Sequence, residues 1–177
     1  NIGKPCLDYL DSTFGENRYF VFELSSHQLS DLTKSPHIAV LLNIFKEHLD
    51  YYQSFEDYIR AKGNVTKFQF SKDCLVYNFD QQVVRKISQN TKAKNYNFSL
   101  FNEKTTTYIK DGYVFYRDEP IIETDNIPLL GKHNLLNVMA AVIVGKILGI
   151  STSTINSVIK DFKPLSHRLE RIGIYRG

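Results

Sequence analysis

The chain has 177 residues, of which 42% are hydrophobic and 23% charged, a balance ordinary for a soluble globular protein of one sizeable domain or at most two small ones. A net charge of +3 gives no support to a nucleic-acid partner. The two cysteines, Cys6 and Cys74, form no C-x-x-C and fit a reducing cytosol, and the longest apolar stretch, Val138 to Val144, is far too short to span a bilayer. No charged-then-apolar leader is visible, residue 1 is not Met, and the chain is expected to be a piece of a longer protein.

Taken in chain order, "RYFVFELS" (18–25) is apolar, aromatic and β-branched and predicts a buried strand. It ends in Glu23, and a buried carboxylate is costly unless the strand end reaches solvent or a cation meets it. "SSHQLSDLTKS" is polar enough for a connecting helix or loop. "HIAVLLNI" (37–44) predicts a second buried strand, and two such continuous runs suit a parallel sheet covered on both faces. "SFEDYIRAKGNVTKFQF" (54–70) predicts a helix with Ser54 as cap and Asp57 in the reciprocal position. Lys62 lies on its otherwise apolar stripe of Phe55, Tyr58, Ile59 and Val65.

"CLVYNF" (74–79) predicts a third strand, and "DQQVVRKISQ" a short helix capped by Asp80. From about 94 to 122 the pattern changes. "TTTYIK-DG-YVFYRD" alternates around Asp111-Gly112, a strong hairpin signal, and predicts an antiparallel annex on the main sheet. "HNLLNVMAAVIVGKILG" (133–149) predicts a largely apolar helix ending near Gly149, and "STSTINSVIKDF" a further short one. The sum is an α/β domain whose mostly parallel sheet is flanked by helices.

Chemistry in such a sheet gathers at the C-terminal ends of the strands. Glu23 and His48 both follow predicted strands and could converge there on a divalent metal, Mg²⁺ or Mn²⁺ in oxygen-rich company. His48 as a loop histidine and Glu23 as an exposed carboxylate are the plainer alternatives. Lys62 reads either as a snorkelling lysine or as one held near an anion or metal. "GKHNLLN" (131–137) puts Asn134 and Asn137 at a helix start, where anions are favoured and an amide can read an adenine edge. As plainer roles, Asn134 is a cap, Asn137 a solvated residue and Arg168 a surface charge. No G-x-x-x-x-G-K-[ST], H-E-x-x-H or G-x-S-x-G occurs.

In order, "NIG-P", "ELSSHQL", "N-(x)4-HLDYY-(x)2-FEDYIRAK", "GKHNLLNVMAA" and "HRLE" resemble the central ATPase domain of the Mur ligases, over nearly the whole chain. Within that family "ELSS-QL" and "HN-x-x-N" are most similar to the branch that adds D-glutamate. Another branch, a folylpolyglutamate-synthase relative and a non-catalytic module with vestigial motifs are the alternatives. The resemblance implies a cytoplasmic bacterial enzyme of peptidoglycan synthesis. It would use ATP and Mg²⁺ to join D-glutamate to UDP-N-acetylmuramoyl-L-alanine through an acyl-phosphate. It implies a central domain over 1–165 and the start of a C-terminal domain over 166–177.

Residue by residue, Glu23 resembles the family's Mg²⁺ ligand near the ATP phosphates, and His48 the ligand of a second Mg²⁺. Lys62 matches the lysine that the family carbamylates, a change that turns a cation into a metal-binding anion and that partial burial favours. Asn1, Ser25 and Gln28 match the muramoyl-substrate edge. Asn134 and Asn137 match the adenine-contacting pair, and Arg168 the arginine near ATP. "NIFKEH" puts Phe45 and Lys46 where relatives often have a hydroxyl and a variable residue, and His27 stands where many carry Phe. The family's phosphate loop and first strand are expected upstream of residue 1, and its N- and C-terminal domains outside the chain. The chain alone is therefore expected to be inactive, with an open sheet edge that invites self-association.

Overall fold

A computed structural model describes residues 18–47 and 50–163. Six strands pair in sequence order into one sheet: β1 (Ile38–Leu41), β2 (Cys74–Asn78), β3 (Lys94–Ser99), β4 (Thr107–Lys110), β5 (Tyr113–Tyr116) and β6 (Glu119–Glu123). β1 to β4 run parallel, and β4 to β6 antiparallel. Among the described residues five α-helices flank them: α1 (Ser26–Ser30), α2 (Phe55–Lys67), α3 (Gln82–Ser88), α4 (Lys132–Ile147) and α5 (Thr152–Lys160).

The side-chain alternation of β2 shows how the layers form, because successive residues of a strand point to opposite faces. Val76 joins Phe98, Met139, Val142 and Ile143 in a core built on α4 and α5. Its neighbours Leu75 and Tyr77 join Tyr58, Val65 and Val84 in a second core built on α1, α2 and α3. Every residue of β2 is buried, as a central parallel strand with both faces covered requires. Beyond its polar first two turns α4 is largely apolar, because the sheet and α5 enclose most of it. Its C-terminus closes with Gly149 N–H donating to Lys146 O (3.1 Å) and Ile150 N–H to Gly145 O (2.9 Å).

β3 and β4 are parallel neighbours with no helix between them. Only Phe98 and Ser99 pair with Thr107 and Tyr108, so β4 begins where β3 ends and the chain need not travel back along the sheet. The antiparallel annex thus starts at β4, and residues 94–99 belong to the parallel part. The predicted hairpin is present, with Asp111 at φ 47° and Gly112 at φ 77°. Two left-handed residues match a two-residue turn to the strand twist. Tyr108 and Phe115 stack across it at 5.4 Å.

Three local expectations are corrected. Residues 18–25 form no strand, and Val21 is 93% exposed. Aromatic and β-branched residues favour a strand only where neighbouring strands supply backbone partners and a surface to pack on. Among the described residues that run joins no ladder, so Glu23 does not end a buried strand. Asp80 does not cap α3. Its carboxylate accepts Ser99 Oγ–H and Leu100 N–H (2.9 Å), while Gln81 stands at the cap with no side-chain bond to the helix. Ser54 does cap α2, accepting Asp57 N–H at 3.1 Å, but the reciprocal bond is absent: the shorter Asp57 carboxylate takes the Ser54 hydroxyl (2.7 Å). The expected domain boundary at 165/166 lies outside the described residues.

Candidate active site

The three parallel strands β1, β2 and β3 end on one edge, and polar bonds fasten those ends together. Asn78, 1% exposed, donates from Nδ2 to Asn43 Oδ1 at 3.0 Å. Gln81 Oε1 accepts Ile44 N–H at 3.0 Å, and the Asp80 carboxylate reaches Ser99 and Leu100 past β3. A rim cross-linked in this way holds its loops at fixed spacing, the first requirement of a site that must position a reactive group.

α1 carries two of the predicted substrate-edge residues and brings them together. Ser25 accepts Gln28 N–H (3.3 Å), and Gln28 Oε1 accepts Ser25 N–H (2.9 Å), a closed capping box. A five-residue helix has little stability of its own. It is held from below by Asn64 on α2, whose Nδ2 donates to Leu29 O (2.9 Å) and Ser30 O (3.1 Å). Ser30 Oγ also bonds the Tyr52 hydroxyl at 3.2 Å. Glu23 is exposed, two residues before this box.

A row of rings then leads from α1 to Lys62. The His27 ring meets Tyr51 edge-on at 4.1 Å, Tyr51 meets Tyr52 at 4.9 Å, and Tyr52 meets Tyr58 at 5.4 Å. Lys62 Nζ lies 5.8 Å from the Tyr58 ring centroid, one helical turn on. Burial first, then the charge of Glu47 and the neighbouring Tyr52, push the Tyr58 phenol up, so the wall beside Lys62 is neutral at physiological pH. Lys62 itself is half-buried on α2. The sequence motifs contain Tyr51 and Tyr52 but assign no role to them or to His27. The signal was present in the adjacent "DYY" and in the i, i+4 spacing of Tyr58 and Lys62.

Asn134 and Asn137 lie together in the first turns of α4, beside the same edge, since Lys132 Nζ is 5.9 Å from the Phe101 ring just past β3. Their roles differ. Asn134 Nδ2 is committed to Leu130 O at 2.7 Å, whereas exposed Asn137 makes only a long 3.4 Å bond to Asn134 Oδ1. Its amide is the less committed of the two. Cys74, the cysteine within the described residues, is buried with its thiol pushed up by desolvation, and is no nucleophile.

Asn1, His48 and Arg168 lie outside the described residues. Among the described residues no three His, Cys, Asp or Glu side chains gather to hold a metal. The donor chemistry nevertheless fits a hard cation in part. Glu23 offers carboxylate oxygens of the kind Mg²⁺ takes, and Lys62 becomes an oxygen donor only as its carbamate.

Residues 8–145 match the family model described as the Mur ligase middle domain. The chain is 37% identical over 177 residues to a UDP-N-acetylmuramoylalanine--D-glutamate ligase of Oenococcus oeni, spanning 99% of this chain and 40% of that protein. A protein of the same name from Staphylococcus haemolyticus is 39% identical, again across 99% of this chain and 39% of its own length. The chain thus spans about two fifths of these curated relatives. A solved MurF structure from Acinetobacter baumannii shares the fold, with a TM-score of 0.65 over 77% of this chain and 31% of that one at 20% identity. With the family model covering most of its length, the chain belongs to the Mur ligase family.

Proposed function

We propose that the intact protein carrying this chain is an ATP-dependent carbon–nitrogen ligase of the bacterial cytoplasm that adds D-glutamate to UDP-N-acetylmuramoyl-L-alanine in peptidoglycan synthesis. The observation that carries this reading is identity of 37% across almost the whole chain to relatives named as D-glutamate ligases. The chain supplies the central domain (1–165) and the beginning of the next (166–177).

In this reading the terminal phosphoryl group of ATP passes to the substrate carboxylate. The amine of D-glutamate attacks the acyl-phosphate carbon, the C–O bond to phosphate breaks, and an amide, phosphate and ADP result. Asn137 holds the adenine edge through its amide, with Asn134 setting its position and Arg168 standing near the nucleotide. Asn1, Ser25 and Gln28 line the muramoyl side. The capping box fixes Ser25 and Gln28 against each other, so that edge is ordered before substrate arrives. Glu23 would hold one Mg²⁺, and His48 with carbamylated Lys62 a second. Bound there, the cations would neutralise the phosphoryl oxygens.

The test uses the intact protein with ATP, Mg²⁺ and UDP-N-acetylmuramoyl-L-alanine, and follows phosphate release with D-glutamate, L-lysine or meso-diaminopimelate as the amine. Release that depends on D-glutamate alone is expected, and dependence on another amine overturns the substrate assignment. Glu23→Ala and His48→Ala are each expected to lower turnover by about 10²-fold or more. Unchanged turnover in both would refute the catalytic reading. Isotope-labelled CO₂ should add a carbamate signal that Lys62→Ala abolishes.

A further inference from the structure

A second concave surface lies on the opposite edge of the sheet, before the strands begin. It is a groove of about 840 Å³ whose walls come from the segments leading into β1, β2 and β3. Lys34, Lys67, Lys72 and Lys92 stand around it, all exposed, together with His37. Phe70, 64% exposed, stands among them.

Among the described residues the groove contains one carboxylate, and that carboxylate is already spent. Asp73 Oδ1 bonds His37 Nδ1 at 2.7 Å, and its Oδ2 accepts Phe70 N–H at 2.7 Å. The Phe70 amide and then the His37 ring hold this carboxyl below its usual range, so it is ionised and turned inward. The polar groups of the floor are spent too. Gln69 Nε2 donates to Pro36 O (3.0 Å) and Cys74 O (2.9 Å), and Ser35 Oγ–H donates to Asn64 O while accepting Phe68 N–H, each at 3.0 Å. What faces outward is cationic and aromatic. Among the described residues none of the four lysines makes an ion pair.

We infer that this groove is a docking site for an acidic segment of a partner polypeptide, with carboxylates between the lysines and an apolar side chain against Phe70. Charge complementarity chooses the sign of the occupant. The exposed phenylalanine argues for a peptide rather than a small oxyanion, which has no use for an apolar ring. The concavity argues against a lipid bilayer, which needs a flat or convex contact. The floor is fixed by its own hydrogen bonds, so little ordering is needed on binding. The groove lies on the edge away from Asn137, Ser25 and Gln28, so a partner seated there leaves the proposed substrate edge open.

The test measures fluorescence anisotropy of a short labelled peptide of glutamates flanking one leucine, titrated with the intact protein. Binding that weakens as salt rises is expected, with a loss of at least about tenfold when Lys34, Lys67, Lys72 and Lys92 are all changed to Glu. Phe70→Ser is expected to weaken the leucine peptide several-fold and a glutamate-only peptide little. All five positions are exposed, so circular dichroism and the melting temperature of both variants should stay near those of the parent. Inorganic pyrophosphate and vesicles of anionic phospholipid serve as competing probes. The proposal is overturned by any of three results: no peptide binding, peptide binding indifferent to the charge reversals, or pyrophosphate or vesicles using the same lysines more tightly than the peptide. None of these readouts depends on ligase activity, so failure here leaves the proposed reaction untouched, and the reverse holds as well.

Discussion

Asn64 offers the sharpest test of how the site is held. It is 9% exposed on α2, and its Nδ2 makes the two bonds that dock α1, to Leu29 O at 2.9 Å and Ser30 O at 3.1 Å. Those oxygens belong to the last turn of α1, beyond the reach of the helix's own donors, and Leu29 O also accepts Leu32 N–H at 3.2 Å. Asn64→Leu keeps approximate size and removes both donors. Each lost bond costs about 1 kcal/mol, and Leu29 O keeps the Leu32 N–H, so a total of about 2 kcal/mol is expected. Asn64→Asp should cost more, because an anion would then face two carbonyl oxygens.

Urea unfolding should show a lower midpoint with an unchanged slope, and the melting temperature should fall by about 2–4 °C per kcal/mol. Hydrogen exchange separates global from local loss. The Leu29 amide, bonded to Ser25 O, should lose protection more than amides of β2 do. In the intact protein the same variant should raise KM for the muramoyl substrate, because Ser25 and Gln28 ride on α1. An unchanged unfolding midpoint together with unchanged protection of α1 would refute the idea that Asn64 carries the docking.

Three further outcomes follow from other parts of the molecule. Glu119 bonds Lys146 Nζ at 2.7 Å and also takes the Thr152 hydroxyl, and these two bonds, the lysine's first, hold its carboxyl below the usual 4.5. A depressed carboxyl stabilises the fold above its unfolded value and loses that contribution as pH falls through its folded one. Glu119→Gln should therefore flatten the stability profile below about pH 4.5, by no more than about 1 kcal/mol because the side chain is half-exposed, as pH-dependent melting would show. Gly131→Ala puts a Cβ 2.9 Å from the His133 ring at φ 94°, whereas Gly112→Ala at φ 77° meets nothing within 4 Å. Both should lose about 1–2 kcal/mol by thermal unfolding, with Gly131→Ala the larger loss and the one that raises KM for ATP, since Gly131 begins α4. On the proposed role of its amide at the adenine edge, Asn137→Ala should raise KM for ATP by roughly tenfold or more at unchanged melting temperature.

How much of this was legible in the sequence depends on the range of the interactions involved. β1, β2, the hairpin at Asp111-Gly112 and helices α2, α4 and α5 are written in local patterns, and each appears where those patterns place it. A sheet covered on both faces was expected from the continuous apolar runs at 18–25 and 37–44, and β2 is the strand that displays it. Residues 18–25 carry an equally strong strand pattern and form none. A strand exists only through its neighbours, and composition cannot say which partners are present. The same reasoning separates Asp80 from Ser54. Both sit before a helix with the right chemistry, but Asp80 has Ser99 and Leu100 within reach, and a carboxylate satisfied across the sheet is lost to the cap.

The site divides along the same line. The motifs marked Ser25, Gln28, Lys62, Asn134 and Asn137, and the structure brings Ser25 to Gln28 at the start of α1 and Asn134 to Asn137 at the start of α4. The parts that hold them were invisible, because they arise between segments: Asn64 under α1, Asn78 on Asn43, and the rings from His27 to Tyr58. His27 shows why a motif alone misleads. It departs from the phenylalanine that the resemblance leads one to expect, and its ring packs edge-on against Tyr51 as a phenylalanine's could. The substitution preserves an aromatic contact and adds nitrogens at the rim. Replacing His27 by Phe keeps the ring contact with Tyr51 and should therefore cost less stability and turnover than Ala, which removes it. A turnover loss in the Phe variant as large as in the Ala variant would assign the work to the imidazole nitrogens instead.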